Sequence, residues 1–499
     1  ERAEKIFFTE PFFANPQVLL ARRAQAETGL EYDALSELNG KLVAALTGTI
    51  FDQLTLGAIP QAQLSYFNGS ADELVALKGG KVEAVPFDEP VARLAVSKNP
   101  ELGILQERVA EDHYGISLAK DSPLTAGVNA AIASMRQDGT LQAMTDKWTG
   151  ADESVKTLPD LENAGENGVL RVGCYAGVEP MCYVSDGETV GYDVELILRI
   201  GQILGMRVEF ISVDFSGLIP MLQSGKADLA VGCMSITDER RKQVDMSDAY
   251  YDGGVYIVVR KAADSAANIP KQGFFAGLAA SFTRPFLVES RWKLVLDGLF
   301  VTVLLSICAG VLGSVIGFGI CMMRRSKNRA ASVSAAAFIR LIQGTPIVVL
   351  LMILYYILFG KVNVSSLFVA IVGFSVNFGV YVSEMMRAGI EAVDKGQVEA
   401  AQAIGFTRSQ TFRKITFPQA ARHFIPVFRG EFVSMVKMTS VVGYIALQDL
   451  TKVSDIIRSR TLEAFFPLIA TAVLYSLVKR YFGRVAGLIS ALILGLTPI

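Results

Sequence analysis

Asn377, Glu384, Glu431 and Lys437 stand inside long apolar runs, where a polar or charged side chain is costly to hold. Side chains kept in such places line a route for a polar solute or bind helices together. Asn377, near the middle of its run, suits either role. Glu384, with Arg387 three residues on, also suits a membrane interface. Reactive chemistry is otherwise sparse. His113 and His423 lie in separate halves, and no His/Cys group has the spacing of metal ligands, so neither a metal nor another cofactor is expected. Cys174, Cys182 and Cys233 share one segment; a disulfide between two of them stays open beside the preferred reading of three buried thiols. The chain has no Gly-x-x-x-x-Gly-Lys-Ser/Thr loop and hence no phosphate cradle of that kind. A net charge of −2 lacks the basic footprint of a nucleic-acid binder, so no such partner is expected.

The runs that carry these residues divide the chain in two. Charged residues are 19% of the 499, below the roughly one quarter usual in soluble proteins, and the deficit is concentrated beyond residue 290. A membrane crossing takes about twenty apolar residues. Residues 294–323, 345–360, 366–386, 424–447 and 464–486 fit, five in all. Basic loops mark the cytoplasmic side. Arg324, Arg325, Lys327 and Arg329 end the first run, which places everything before it outside, the turn at 361–364 outside, and the basic loop at 391–418 inside. The opening at Glu1 and the apolar ending at 485–499 both read as cut edges.

Residues 399–418 read as a helix-turn-helix. Ala and Gln favour a helix over 398–404, Gly405 can end it in the left-handed conformation, Thr407 with Gln410 forms a capping box for a second helix, and Pro418 is expected to stop or kink that helix. Glu399, Ala400, Ala401, Gly405, Ile415 and Pro418 together resemble the EAA loop of ATP-binding-cassette (ABC) importer permeases. The resemblance implies a cytoplasmic plug through which an ATPase subunit moves the membrane domain. Arg340-Leu-Ile-Gln-Gly-Thr-Pro346, Tyr381 to Gly389 and Lys437-Met-Thr-Ser440 resemble further segments of the polar amino-acid permeases, with Gln343 and Met438 departing from the family's Arg and acid.

The soluble half carries a repeat: Glu1 to Phe13 parallels Glu239 to Tyr251, and Arg22-Arg23-Ala24 parallels Arg260-Lys261-Ala262. Strands over 169–174, 207–213 and 227–234 alternate with helices over 193–204 and 215–223, which implies a parallel, doubly wound lobe. Gly191-Tyr-Asp-Val-Glu-Leu, Asp214-Phe-Ser-Gly-Leu-Ile-Pro, Ser224-Gly-Lys-Ala-Asp and Ser235-Ile-Thr-Asp-Glu-Arg, in that order, resemble extracellular solute-binding proteins for polar amino acids. Segments from Gly40, Gly80, Tyr114 and Asp138 resemble the second lobe, return strand and closing helices of the same family. Residues 1–150 thus form a solute-binding segment lacking its first lobe, with the second lobe at about 28–112 and the return strand and closing helices at 113–150. Residues 151–168 are a linker, 169–263 a first-lobe-like half repeat, 264–290 a linker, and 291–499 a permease domain. Either 169–263 is an extra half-module, or it pairs with 28–112 to complete one clamp from permuted pieces; the second arrangement covers two otherwise bare faces.

A zwitterionic amino acid needs a cation for its carboxylate and an anion for its ammonium, and arginine suits the carboxylate through a bidentate fork. The resemblance makes Arg240 that cation, with Arg2 as a rival at the matching repeat position. It gives Ser235, Thr237 and Thr49 as further donors, Asp88 as the ammonium partner and Phe215 as an aromatic wall. Tyr175, Val178 and Met181 depart from the family's usual residues. The fold expected is α/β periplasmic-binding-protein-like lobes, doubly wound, followed by an all-α five-span membrane domain. The function implied is a permease subunit with fused binding lobes, moving polar amino acids with an ABC ATPase subunit and a second permease subunit as partners. A ligand-gated channel or a receptor built on the same clamp is the alternative.

Overall fold

The computed structural model describes residues 29–480 except 68, 151, 162–164, 263–281, 284, 363 and 462–465. The first repeat copy with Arg2, part of the 264–290 linker and the apolar ending at 485–499 lie outside the described residues.

Thirteen strands are described in chain order: β1 (Leu42–Leu46), β2 (Gln63–Phe67), β3 (Ala84–Asp88), β4 (Leu102–Tyr114), β5 (Ser117–Leu118), β6 (Val169–Cys174), β7 (Gly177–Val178), β8 (Cys182–Ser185), β9 (Glu188–Val190), β10 (Arg207–Ser212), β11 (Leu229–Val231), β12 (Asp245–Met246) and β13 (Tyr251–Arg260). One lobe is built on the sheet β2-β1-β3-β13-β4 and the other on β10-β6-β11-β5-β12. Within each, the β-α-β strands pair in parallel, as helical crossovers require. The remaining strands run antiparallel: β13 between β3 and β4, and β5 between β11 and β12. Each sheet therefore takes strands from both sides of the segment 150–168.

The chain crosses between the lobes twice, after β4 and before β13. Tyr114 stacks on Tyr251 there, with ring centroids 5.3 Å apart and 8° between planes, and the Tyr250 amide donates to the Tyr114 carbonyl at 2.9 Å. Gly115 is held to its small size, since a Cβ would meet Ile236 at 2.8 Å. The helices Thr125–Gln137 and Thr140–Thr149 pack on the lobe built from β10-β6-β11-β5-β12. Trp148, fully buried, donates through Nε1 to Glu195 at 2.8 Å, and Lys147 and Arg199 pair with the same carboxylate. That shared anion on Tyr192–Leu204 fastens the closing helices to a strand-helix unit encoded after them.

In the C-terminal half, Trp292–Arg324 and Ser366–Glu391 are each long and apolar enough to cross a membrane. Their backbones approach closely at Gly313, Gly317 and Gly379: a Cβ on Gly317 would lie 2.6 Å from the Gly379 carbonyl oxygen and 2.8 Å from Val382. Small residues at such crossings let dispersion and backbone contact replace the hydrophobic drive that lipid removes. Gly317→Leu is therefore expected to destabilise the helix pair by about 1–3 kcal/mol. Gly319→Leu, with nothing within 4 Å of the new Cβ, should be nearly neutral. Melting temperatures of the two variants in detergent check this, and equal melting would refute the packing argument.

Five unbroken spans are not what the described residues form. Two more crossings arise only if bent helix pairs are counted: Arg329–Gln343 with Ile347–Leu358, bent by 105°, and Arg408–Ile445 with Leu450–Thr461, bent by 57°. The first break falls at Gly344-Thr345-Pro346, where proline disfavours helix in the residue before it; the second follows Ala446, which is left-handed at φ +57°. Of the expected span 464–486, residues 466–480 are helical and the rest lies outside the described residues. Pro418 neither stops nor kinks its helix. It sits in the first turn of Phe417–Met438, and the π turn Phe412–Thr416 before it takes up the change in register.

Candidate functional site

The cleft between the lobes is lined by Thr49, Phe51, Asp88, Tyr175, Phe215, Ser235 and Arg240 among others, and its residual volume is about 30 Å³. Little free space is thus left between the lobes at these side chains. Each side chain is placed by its local fold. Thr237 begins the short helix Asp238–Gln243 and its hydroxyl accepts the Arg240 amide at 3.2 Å. Thr237 therefore caps the helix that carries Arg240 and is not among the cleft-lining residues. Arg240 is 7% exposed, donates from Nη1 to the Ser235 carbonyl at 2.8 Å, and lies 5.6 Å from the centre of the Phe215 ring. Tyr175 meets Phe215 edge-on at 5.9 Å. Thr49 spends its hydroxyl on the Leu46 carbonyl at 2.7 Å, and Asp88 ends β3 facing the cleft.

Two buried carboxylates, Asp88 and Asp112, act on the Arg240 guanidinium, and a third, Asp193, lies close enough to act on Asp88. Burial pushes Asp88 up to about 7, with Asp112 and Asp193 adding repulsion and Arg240 opposing it. Asp112, on β4, accepts the Ser235 hydroxyl at 2.8 Å and is likewise raised by burial. Asp193 is raised to about 6 by burial although the Tyr250 hydroxyl, at 2.7 Å, and the Cys233 amide both donate to it. The Tyr114 hydroxyl beside Asp88 is buried without a hydrogen bond of normal geometry, yet close enough to favour the carboxylate. The pocket is thus poor in positive charge and ready to gain by accepting a cationic group.

Asp112 and Tyr114 come from the strand that crosses between lobes; Tyr114 opens the return-strand segment, while Asp112 carries no local motif. Asp193 stands within the Gly191-Tyr-Asp segment, where a motif signal was present. Cys174, Cys182 and Cys233 are buried free thiols.

The clamp rests on one end of the membrane helices. Leu450–Thr461 supplies Lys452 to Asp214, Arg458 to Asp72 and Arg460 to Glu179, so one helix reaches carboxylates of both lobes. Lys226 donates to the Val362 carbonyl at 2.7 Å. The other end of Trp292–Arg324, about 50 Å away at 1.5 Å per residue, meets the 391–418 loop. There Arg325, Glu391, Glu399, Arg408 and Thr411 line a cavity of about 550 Å³. Lys395–Ala403 is the first loop helix, with Glu399 and Ala400 exposed and Ala401 buried; Gly405 follows at φ +97° and Thr407 with Gln410 makes the capping box. Of the in-span polar residues, Asn377 is buried, Glu431 half-buried and Lys437 exposed, while Glu384 pairs with Arg387 at 2.7 Å.

Two α/β lobes meeting at a charge-lined cleft and seated on apolar helices define a solute-binding clamp with a membrane domain. The chain belongs to the bacterial extracellular solute-binding proteins, family 3, whose pattern matches residues 1–151 and 170–484. It is 32% identical over 197 residues, 39% of this chain and 90% of the relative, to a Rickettsia bellii permease protein named for a glutamine transport system. It is 31% identical over 193 residues, 36% of this chain and 85% of the relative, to the histidine/lysine/arginine/ornithine transport system permease protein HisQ of Escherichia coli. A crystal structure of an amino acid ABC transporter with histidines is similar at 30% identity and TM-score 0.38, over 44% of this chain and 99% of that one.

Proposed function

We propose that the chain is the permease subunit, with its substrate-binding lobes fused to it, of an ATP-driven ABC importer for polar amino acids. The observation that carries this reading is that Arg240, Phe215, Ser235, Asp88 and Thr49, drawn from two lobes and from opposite sides of the 150–168 segment, converge on one cleft. The lobe at 169–263 completes the clamp of 28–150, so that one binding unit is made from permuted pieces. Arg240 takes the α-carboxylate, Asp88 the ammonium, Phe215 the side chain, and Ser235 and Thr49 frame the site. The lobes lie outside the cell and the 391–418 loop inside. That loop is the seat of a separate ATPase subunit, and a second permease subunit completes the membrane path. Solute closes the clamp, and ATP-driven motion received at Glu399, Ala400, Ala401 and Gly405 opens the path inward past Asn377, Glu384, Glu431 and Lys437. Binding differences between open and closed states supply the coupling. A channel would have no use for the capped helix-turn-helix at 395–416.

The binding half of this reading is tested by calorimetric titration of the purified chain with polar amino acids between pH 5 and 8. Asp88 must be ionised to receive an ammonium, and below its raised pKa of about 7 the ionised fraction falls tenfold per unit. Affinity is expected to rise with pH up to about 7 and then level off. Asp88→Asn should bind weakly with a flattened profile in that range. A wild-type affinity independent of pH would remove Asp88 from the ammonium site.

A further inference from the structure

A second cavity, of about 230 Å³, lies between the clamp and the membrane helices. It shares Leu46, Tyr175 and Phe215 with the cleft around Arg240, so two edge-to-face rings form the wall between the two spaces. On its far side stand Asp214 of the lobe and Lys452 of the membrane half, ion-paired to each other, with Asp455 and Tyr444 beside them. Lys452 is largely buried and 5.9 Å from the centre of the Tyr175 ring. Gly443 lets the chain come close below this pair: a Cβ there would lie 3.2 Å from an Asp214 carboxylate oxygen and 3.3 Å from Lys452 Cδ. The Tyr444 carbonyl at the rim accepts the Tyr356 hydroxyl at 2.8 Å, which fixes the floor.

We propose that this chamber is a second solute site, a hand-over station for a zwitterionic amino acid leaving the cleft, in which Lys452 takes the carboxylate and Asp214 the ammonium. The proposal rests on the importer reading above. Its free volume, about 230 Å³ against about 30 Å³ in the cleft beside Arg240, leaves room for a solute where the cleft has little. The charges balance in both states. Empty, Lys452 and Asp214 neutralise each other; occupied, each meets the opposite end of the solute, so no buried charge is left without a partner. The Phe215 and Tyr175 rings, with Leu46, stand between this site and the cleft, and Arg240 and Lys452 lie on the two sides of those rings. A carboxylate can pass from one cation to the next.

The test uses the full chain with its ATPase subunit in liposomes and a mixture of radiolabelled L-glutamine, L-histidine and L-arginine as the probe. Lys452→Met removes the chamber's cation, and Ser440→Trp, at another chamber-lining position, fills the space. Both are expected to lower ATP-driven uptake at least tenfold while amino-acid affinity of the purified chain stays within about threefold. Arg460→Met breaks a clamp-to-membrane ion pair with Glu179 but does not line the chamber, and should retain most uptake. Uptake unaffected by Lys452→Met and Ser440→Trp would overturn the proposal, and so would an equal loss in Arg460→Met, which would show Lys452 to be a docking contact. Absence of uptake by the wild type would overturn the importer reading itself and this site with it, whereas the variant pattern judges the chamber alone.

Discussion

Arg240→Ala is expected to weaken amino-acid binding by about 30-fold or more. Truncating one partner of a buried, hydrogen-bonded charge pair costs about 2–5 kcal/mol, and 1.4 kcal/mol is a factor of ten. Arg240 commits Nη1 to the Ser235 carbonyl and is held against Phe215. A guanidinium has five donors in a planar fork, so enough remain to grip a carboxylate. Arg240→Lys keeps the charge and loses the fork, and should bind with intermediate affinity. Calorimetry measures the affinities and a thermal melt separates loss of binding from loss of fold. A well-folded Arg240→Ala protein with unchanged affinity would remove Arg240 from the site and leave Arg2, in the other repeat copy, as the residue to test.

The second large effect is expected at the opposite end of the molecule. Gly405 turns the chain at φ +97°, which side chains rarely adopt. Gly405→Val should reorient Lys395–Ala403 and reduce ATP-driven uptake to less than about a tenth, at a strain of roughly 1–2 kcal/mol. Glu399→Lys should act in the same direction, because Glu399 shares its cavity with Arg325, Lys395 and Arg408 and a fourth cation there repels all three. Neither change lies near the cleft, so amino-acid affinity should be unaltered. Uptake and ATP hydrolysis measured side by side decide the matter, and full uptake in Gly405→Val would contradict the role given to the loop.

Much of the local fold was legible in the residues. The strand at 169–174 falls on β6, and the capping box at Thr407 and Gln410 forms as its residue types dictate. The strand expected over 227–234 shortens to Leu229–Val231, because Gly232 and the left-handed Cys233 end it and turn the backbone toward the cleft. The in-span helices were harder to delimit. Hydropathy sees apolar length but not direction: the run expected at 345–360 begins at the Gly344 to Pro346 break, where the chain turns by 105° from the helix Arg329–Gln343. The cleft was half visible. Arg240, Ser235 and Phe215 stand in motifs, while Asp112 and Tyr114 belong to a crossing strand whose meaning depends on which lobes it joins. That pairing is a long-range matter: β13 slots between β3 and β4 more than a hundred residues away, and nothing local announces it. The contacts of Lys452, Arg458 and Arg460 with the lobes are invisible for the same reason, since basic residues outside a span look like any solvated loop until the partner surface is known.

The central claim is that capture in the cleft and the drive at the 391–418 loop belong to one importer. The most direct measurement is uptake of labelled polar amino acids into liposomes holding the full chain and its ATPase subunit, with and without ATP. The account predicts accumulation that requires ATP and saturates with the affinity of the cleft. Amino-acid-gated ion currents without ATP, or uptake indifferent to ATP, would contradict it.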